Sequence, residues 1–475
     1  MLPDDTLLEM FTFYLDEARG IDGWHTLVHV CRRWRTVIFT SPRRLNLQLL
    51  CTSRRPVREL LDIWPALPII ISDRSGAMEG AHNIIAALER NDRVRELDLW
   101  NASSSLLEGF ASLPPDPFPV LTSLQLHSND ESSPVLPESF LGASAPRLRS
   151  LFFGGIPFLG VQKLLSSAHD LVTLHLRDIP HSGYISPEVT VTCLSSMTSL
   201  TTLYLAFRSP RSYPNQARRR PLSLATLPAL TSFQFKGVSE YFEDLVSRID
   251  APELNMVEIL FFNQVIFNIP QLPQFIDRLG KLKALNQADI VFSENTVGVI
   301  LPGSTYKYNR AGLTLGISCR QTDWQLSSLA QTCSSTFPLL STLQRLNIHE
   351  NQYSLPHWQD EMENTQWLDL LQPFAAVKKL HLSNAIAQLV APTLNKLPTE
   401  TVTGLMPLLQ SVFVMGRGPS QPVASDELEE IEQFVVAREL FSHPKVVAVH
   451  YQRRRRSWTT IGRQDIVPPP APYIN

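Results

Sequence analysis

Leu171-Val172-Thr173-Leu174-His175-Leu176 places apolar side chains first, fourth and sixth in a six-residue stretch, with polar residues third and fifth. Its second half alternates as a β-strand does, so Leu174 and Leu176 point to one side and Thr173 and His175 to the other. The same spacing, with Val, Ile or Phe replacing Leu in places, recurs at Val94 (VRELDL), Leu121 (LTSLQL), Leu148 (LRSLFF), Leu200 (LTTLYL), Leu230 (LTSFQF) and Leu254 (LNMVEI). Between the starts at 94, 121, 148, 171, 200, 230 and 254 the intervals are 27, 27, 23, 29, 30 and 24 residues. Weaker copies follow at Leu282 (LKALNQ) and Leu313 (LTL), and clear ones at Leu343 (LQRLNI), Val377 (VKKLHL) and Leu409 (LQSVFV).

A period in this range, roughly 20–29 residues, is that of leucine-rich repeats. One leucine face cannot be buried by one unit alone, so the units must stack, each short strand beside the next and parallel to it. Return elements of helical spacing are read at 158–167, 188–196, 241–249, 272–279, 366–374 and 427–441, several beginning at Pro or Asp. The expected fold is therefore an α/β leucine-rich-repeat solenoid, a horseshoe with parallel strands on its concave face, preceded by a small all-α segment. Boundaries are set at 1–45 for the helical segment, 46–72 for a connecting strand and helix, 73–452 for the array, and 453–475 for a basic, proline-rich disordered tail.

Composition agrees with an array and excludes several classes. The 475 residues include 69 leucines, and Pro (36) outnumbers Gly (20). A net charge of -3 from 42 basic and 45 acidic residues argues against a general polyanion binder, so nucleic acid is not expected as a partner. Five cysteines without a C-x-x-C pair point to neither a disulfide framework nor a zinc site, and to a reducing compartment. The opening Met1-Leu2-Pro3-Asp4-Asp5 is acidic where a secretory signal is basic, and no run approaches the ~20 apolar residues of a membrane helix. An intracellular protein with no membrane partner is the expectation.

The first 45 residues follow a different rule. Leu7, Leu8, Phe11 and Leu15 form one helical stripe, and Trp24, Leu27, Val28, Cys31, Trp34 and Arg35 another, which implies two short helices. The segments Leu2-Pro3-Asp4-Asp5-Thr6-Leu7-Leu8-Glu9-Met10-Phe11 and Leu27-Val28-His29-Val30-Cys31-Arg32-Arg33-Trp34-Arg35 together resemble an F-box, in the order L-P-x-x-x-L-x-x-x-F and then V-C-R-x-W-R. With Ser41-Pro42-Arg43-Arg44-Leu45 and residues 56–68, the chain resembles the F-box proteins with leucine-rich repeats abundant in mushroom-forming fungi. That resemblance implies docking to a Skp-type adaptor and, through it, membership of a cullin-RING (SCF-type) ubiquitin ligase, with the array capturing the target protein. Carried over position by position, the adaptor-facing residues are Leu2, Pro3, Leu7, Leu8, Phe11, Val30, Cys31 and Trp34. The alternative is a repeat scaffold that binds a partner without any link to ubiquitylation.

Residues between the strand leucines define the concave face. They run Glu96, Asp98, Trp100, Gln125, His127, Phe152, His175, Arg177, Tyr204, Gln234, Lys236, Glu258, Arg345, His349, Lys379, His381 and Phe413. Trp100, His127, Phe152, His175, Arg177, Tyr204, Lys236, Arg345, His349, Lys379, His381 and Phe413 are the expected target contacts, because aromatic and basic side chains dominate interface anchors. A ligand with an acidic stretch would suit them. The histidines sit on separate repeats with no i, i+4 pair, so no metal is expected. No nucleophile elbow, Walker loop, H-E-x-x-H or dinucleotide fingerprint occurs, and neither catalysis nor a cofactor is expected.

Overall fold

The computed structural model describes residues 2–17, 23–73, 80–130, 134–210, 224–280, 286–302, 312–319, 321–336, 338–351, 356, 364–395, 405–415, 447–451 and 458–461. They fall in two compact units, the first Met1–Arg211 with Arg218–Leu230 and Arg248–Asp250, the second Ser212–Ala217, Thr231–Ser247 and Ala251–Asn475.

Unit 1 opens with three helices rather than two, α1 (Asp4–Glu17), α2 (Gly23–Val28) and α3 (Arg32–Thr40). Asp4 and Asp5 occupy the first turn of α1, where carboxylates favour the positive end of the helix dipole. The second sequence stripe breaks at Cys31, whose backbone is extended (φ −161°, ψ 166°) and whose Sγ accepts from the Trp34 amide at 3.5 Å, starting a new helix. There follow β1 (Leu49–Cys51), α4 (Val57–Ile63), β2 (Ile69–Asp73), α5 (Ala81–Leu88), β3 (Val94–Leu99), α6 (Ser104–Phe110), β4 (Ser123–His127), β5 (Ser150–Gly154), α7 (Val161–Ser167), β6 (Thr173–Ile179), α8 (Pro187–Leu194), β7 (Thr202–Phe207) and a two-residue strand β8 (Ala225–Thr226). Strands β1 to β7 pair in chain order, every pair parallel. Ser103 caps α6 and Ser186 caps α8, each accepting from the amide three residues on.

The leucine motif is what this sheet buries. Leu97, Leu99, Leu124, Leu126, Leu151, Phe153, Leu174, Leu176, Leu203 and Leu205 are all at most 5% exposed. Helices α7 and α8 cover that side, where Val161, Leu165, Cys193 and Leu194 surround Leu174, Leu176, Leu203 and Leu205. Residues between the leucines lie on the opposite, polar face.

Unit 2 contains β9 (Ser232–Gly237), α9 (Ser239–Val246), β11 (Met256–Phe262), α10 (Gln271–Arg278), β12 (Gln287–Phe292), β13 (Thr296–Pro302), β14 (Gly312–Ser318), α11 (Thr322–Thr336), β15 (Arg345–Glu350), α12 (Asn364–Leu371), β16 (Lys379–Ser383), α13 (Asn384–Asn395), β17 (Ser411–Met415), β18 (Val447–Tyr451) and β19 (Trp458–Ile461). The intervening β10 (Ile249–Asp250) belongs to unit 1, where it pairs with β8. Here the expected succession of parallel repeats fails. β11 pairs in parallel with β14, β14 and β12 each run antiparallel to β13, and only then does β12 join β15 in parallel. Parallel order resumes through β15, β16, β17 and β18.

The reversal has a local cause. From Gln287 to Leu301 burial alternates every second residue, and the break at Ser293-Glu294-Asn295 is a tight turn in which Ser293 Oγ accepts from the Thr296 amide at 3.1 Å. Leu282 lies outside the described residues, and so does 427–441. β19 runs antiparallel to β18, so ordered pairing reaches into the stretch assigned above to a disordered tail; the rest of that tail lies outside the described residues.

Candidate functional site

Two kinds of surface could take a partner. The first is the three-helix module. Arg33 ties its ends together, Nη2 donating to the Leu2 carbonyl at 2.5 Å and pairing with Asp4 Oδ1 at 2.6 Å. The exposed Leu2-Pro3 thereby sits beside the start of α3, just beyond the exposed Val30 and Cys31. Trp34 is half-buried, edge-to-face on Phe11 with centroids 4.8 Å apart.

Leu7, Leu8 and Phe11 correct the sequence reading, since they are only 3%, 6% and 2% exposed and fill the module's own interior. So small a unit needs one apolar stripe of α1 for itself. The stripe left outside is Met10, Phe13 and Tyr14, with Phe13 74% exposed. Its i, i+3, i+4 spacing was the signal available in the sequence. On the other side of the module Trp24 is buried, donates Nε1–H to the Gln48 carbonyl at 2.9 Å, and packs against Trp64 and Phe39 at 5.1 and 6.0 Å.

The second surface is the polar face of the strands. In unit 1 the register sets Asp98, Gln125, Phe152, His175 and Tyr204 side by side on β3 to β7. Trp100, directly after β3, joins them: its ring lies 5.2 Å from His127 and 5.3 Å from Phe152, those two lie 6.3 Å apart, and His175 and Tyr204 extend the cluster from Phe152 at 6.0 and 5.5 Å. All five are half-buried. His127 is held below the ordinary imidazole range by burial and then by the Arg177 cation, against Asp178, and burial alone does the same to His175. Their Nδ1 and Nε2 atoms respectively are buried with no hydrogen-bond partner among the described residues. At neutral pH these two imidazoles are thus uncharged. Arg177 is exposed and pairs with Asp178 at 3.4 Å.

In unit 2 the register aligns Asp289, Asn347, His381 and Phe413, and beside them Gln287, Arg345 and Lys379. Arg345 and Lys379 are exposed, His349 is half-buried, and Lys236 lies 5.8 Å over the Phe262 ring. His381 stacks on Phe413 at 4.3 Å. Burial lowers its pKa to about 4, with Arg345 and Lys379 acting the same way and Asp289 against them.

This lowered value gives stability a sign. The unfolded imidazole takes its proton near the ordinary 6.5, the folded one only near 4, so the unfolded state binds more protons between them. Stability from His381 is therefore complete above pH 6.5, falls as pH drops toward 4, and levels off below. We expect His381→Asn to lose less stability than wild type between pH 7 and pH 4.5 in urea titrations; parallel losses would exclude His381 as the source.

Burial pushes the Cys193 and Cys333 thiols up to about 11 and 12, so neither supplies a thiolate at neutral pH. Among the described residues no three His, Cys, Asp or Glu side chains converge as a metal set, and no helix is long and apolar enough to cross a membrane.

No protein-family model matches the chain, and no curated protein matches it in sequence. Among solved structures it is similar to the crystal structure of the leucine-rich repeat-containing protein LegL7 from Legionella pneumophila, at 12% identity, over 82% of this chain and 97% of that one, with a TM-score of 0.25. The chain's own strand pairing makes it a mixed α/β protein whose recurring leucine strands pair largely in parallel.

Proposed function

We propose that the chain is the substrate-recognition subunit of a cullin-RING ubiquitin ligase of SCF type, its N-terminal helices acting as an F-box that docks a Skp-type adaptor while the repeats hold a target protein. The observation that carries this reading is the apolar surface of the module: Leu2, Pro3, Met10, Phe13, Tyr14, Val30 and Cys31 stay exposed although the interior is already filled. That many exposed apolar side chains on so small a module favour a partner that covers them. No chemistry is required of the chain; holding a target near the ligase raises its effective concentration there.

The test is co-purification of the full chain with a recombinant Skp-type adaptor. Wild type should retain the adaptor, while Phe13→Ser combined with Val30→Ser should lose it and still melt like wild type, since both side chains are on the surface. One observation favours the second reading, a repeat scaffold without a ligase: Leu7, Leu8 and Phe11 are occupied inside the module. Failure of wild type to retain the adaptor would select that reading.

A further inference from the structure

The polar face of unit 2 turns apolar over the antiparallel meander. Val297, Val299 and Leu301 of β13 are at most 4% exposed and enter the core, so Gly298, Ile300 and Pro302 lie on the opposite side. Val291 on β12 follows Gly298 in register, and Met256 and Leu260 on β11 stand beyond β14. All six are half-buried. Aliphatic side chains thus occupy a face that on β15 and β16 carries Arg345, Asn347, Lys379 and His381.

Two glycines lower the middle of this patch. Gly298 and Gly316 pair across β13 and β14, with Val291 next on one side and Leu260 on the other. The three atoms nearest to a Cβ built on Gly298 are backbone atoms of Leu315 and Gly316, 3.0 to 3.6 Å away. A Cβ on Gly316 would meet Leu260 Cδ1 at 3.0 Å, so Leu260 leans over that position. What remains is a low place over Gly298, bordered by Leu260, Val291 and Ile300, where an apolar side chain from outside can approach the backbone.

Beside the patch the charge is positive. Arg345 and Lys379 are exposed and opposite each other on β15 and β16, two and three strands from β13, about 10 and 14 Å at the usual strand spacing. Like charges on neighbouring strands repel, yet neither cation has an ion-pair partner among the described residues. His381, in the next row, has a buried Nε2 without a hydrogen-bond partner among the described residues. Asp289, in the same row on β12, accepts from the side-chain amides of Gln287, at 3.1 Å, and Asn347. Glu258 is exposed at the far side of the patch, on β11. An anion is therefore drawn to the β15 and β16 side and repelled from the β11 side.

We propose that the target protein is held here through a short segment in which a bulky apolar residue neighbours acidic ones, its apolar side chain over Gly298 and Ile300 and its carboxylates on Arg345 and Lys379. This rests on the target-holding half of the function proposed above and specifies what is held. It is independent of the adaptor half. The aliphatic groups supply burial, and the cation pair supplies direction.

Three phage-displayed libraries of peptides about 12 residues long, roughly 40 Å when extended, test it on the full chain. The first fixes one Phe or Leu among positions rich in Asp and Glu, the second fixes it among positions rich in Lys and Arg, and the third is acidic with no apolar residue. Binders should come from the first alone. Their affinity should drop at least about tenfold for Lys379→Glu and for Arg345→Glu, which reverse the charge, and as much for Ile300→Ser, which removes the apolar contact. Arg345 and Lys379 are on the surface, so those variants serve even if Ile300→Ser folds poorly. Binders from the second or third library, binders indifferent to the charge reversals or to a folded Ile300→Ser, or no binder at all would each overturn the proposal. So would a dimer of the full chain that Ile300→Ser dissolves in sedimentation, which would assign the patch to a second copy. Adaptor retention by the same preparation separates this failure from failure of the ligase reading.

Discussion

Trp24→Ala should destabilise the N-terminal module by about 3–5 kcal/mol, the range for emptying a large aromatic site in a packed interior. Trp24 is 1% exposed and stands where α2, α3 and the end of α4 meet, with Phe39 and Trp64 as ring neighbours. Removing it also breaks the hydrogen bond to the Gln48 carbonyl, one residue before β1. A three-helix module has little core in reserve, so a loss of this size should open it while the strands persist. Brief digestion with an arginine-specific protease should cut the variant within Arg32, Arg33 and Arg35 well before wild type. Far-UV circular dichroism should lose only the helical signal of the module. Simultaneous cleavage throughout unit 1 would instead mean that module and strands unfold as one.

Glu243→Ala should be the costliest substitution of a polar side chain, about 3 kcal/mol. This carboxylate, buried on α9, accepts from the amides of Gln271 at 2.6 Å and Leu272 at 2.9 Å, the first two of α10. Pro270 precedes them and offers no side-chain cap. Glu243 thus caps the next helix from a distance of some 28 residues in sequence, and its negative charge meets the positive end of the α10 dipole. Deleting it leaves buried donors without an acceptor, a loss of roughly 1.5–3 kcal/mol per charged hydrogen bond before relaxation. Glu243→Gln keeps an acceptor without the charge and should fall between the two. Urea midpoints of the three proteins decide the order; equal midpoints for alanine and wild type would remove the cap from the account.

The sequence carried the array well, because its rule is one of burial and needs only a few side chains per repeat. The motif leucines from Val94 to Ile259 and again from Leu343 to Val414 are in the core at the spacing that defines them. Five of the six return helices read from apolar spacing lie within a few residues of α7, α8, α9, α10 and α12. Between Leu282 and Leu313 the same rule misled: Ile290, Phe292, Val297, Val299 and Leu301 are equally buried, but their strict alternation marks hairpin strands. At the docking surfaces burial does not decide between neighbours on one helix. Both stripes of α1 are apolar, and only packing tells that Phe11 goes in and Phe13 stays out. Nor does composition reveal that three histidines on the polar face are uncharged, since that follows from their burial, helped by Arg177 at His127 and by Arg345 and Lys379 at His381.

The reversed meander also bears on how the chain can be synthesised and how it can evolve. Elsewhere in unit 2 a strand meets its neighbour after one repeat, as Arg345 meets Lys379, but Met256 on β11 waits for Gly312. On a ribosome β11 would emerge with one side unpaired until β12, β13 and β14 have followed, a longer loop to close and a longer life for an open strand edge. Folding there should be the slow step of the unit, and the interval most in need of a chaperone. In descent the same segment acts as an indivisible block: repeats on either side can be duplicated or lost singly, whereas β12, β13 and β14 must be gained or lost together.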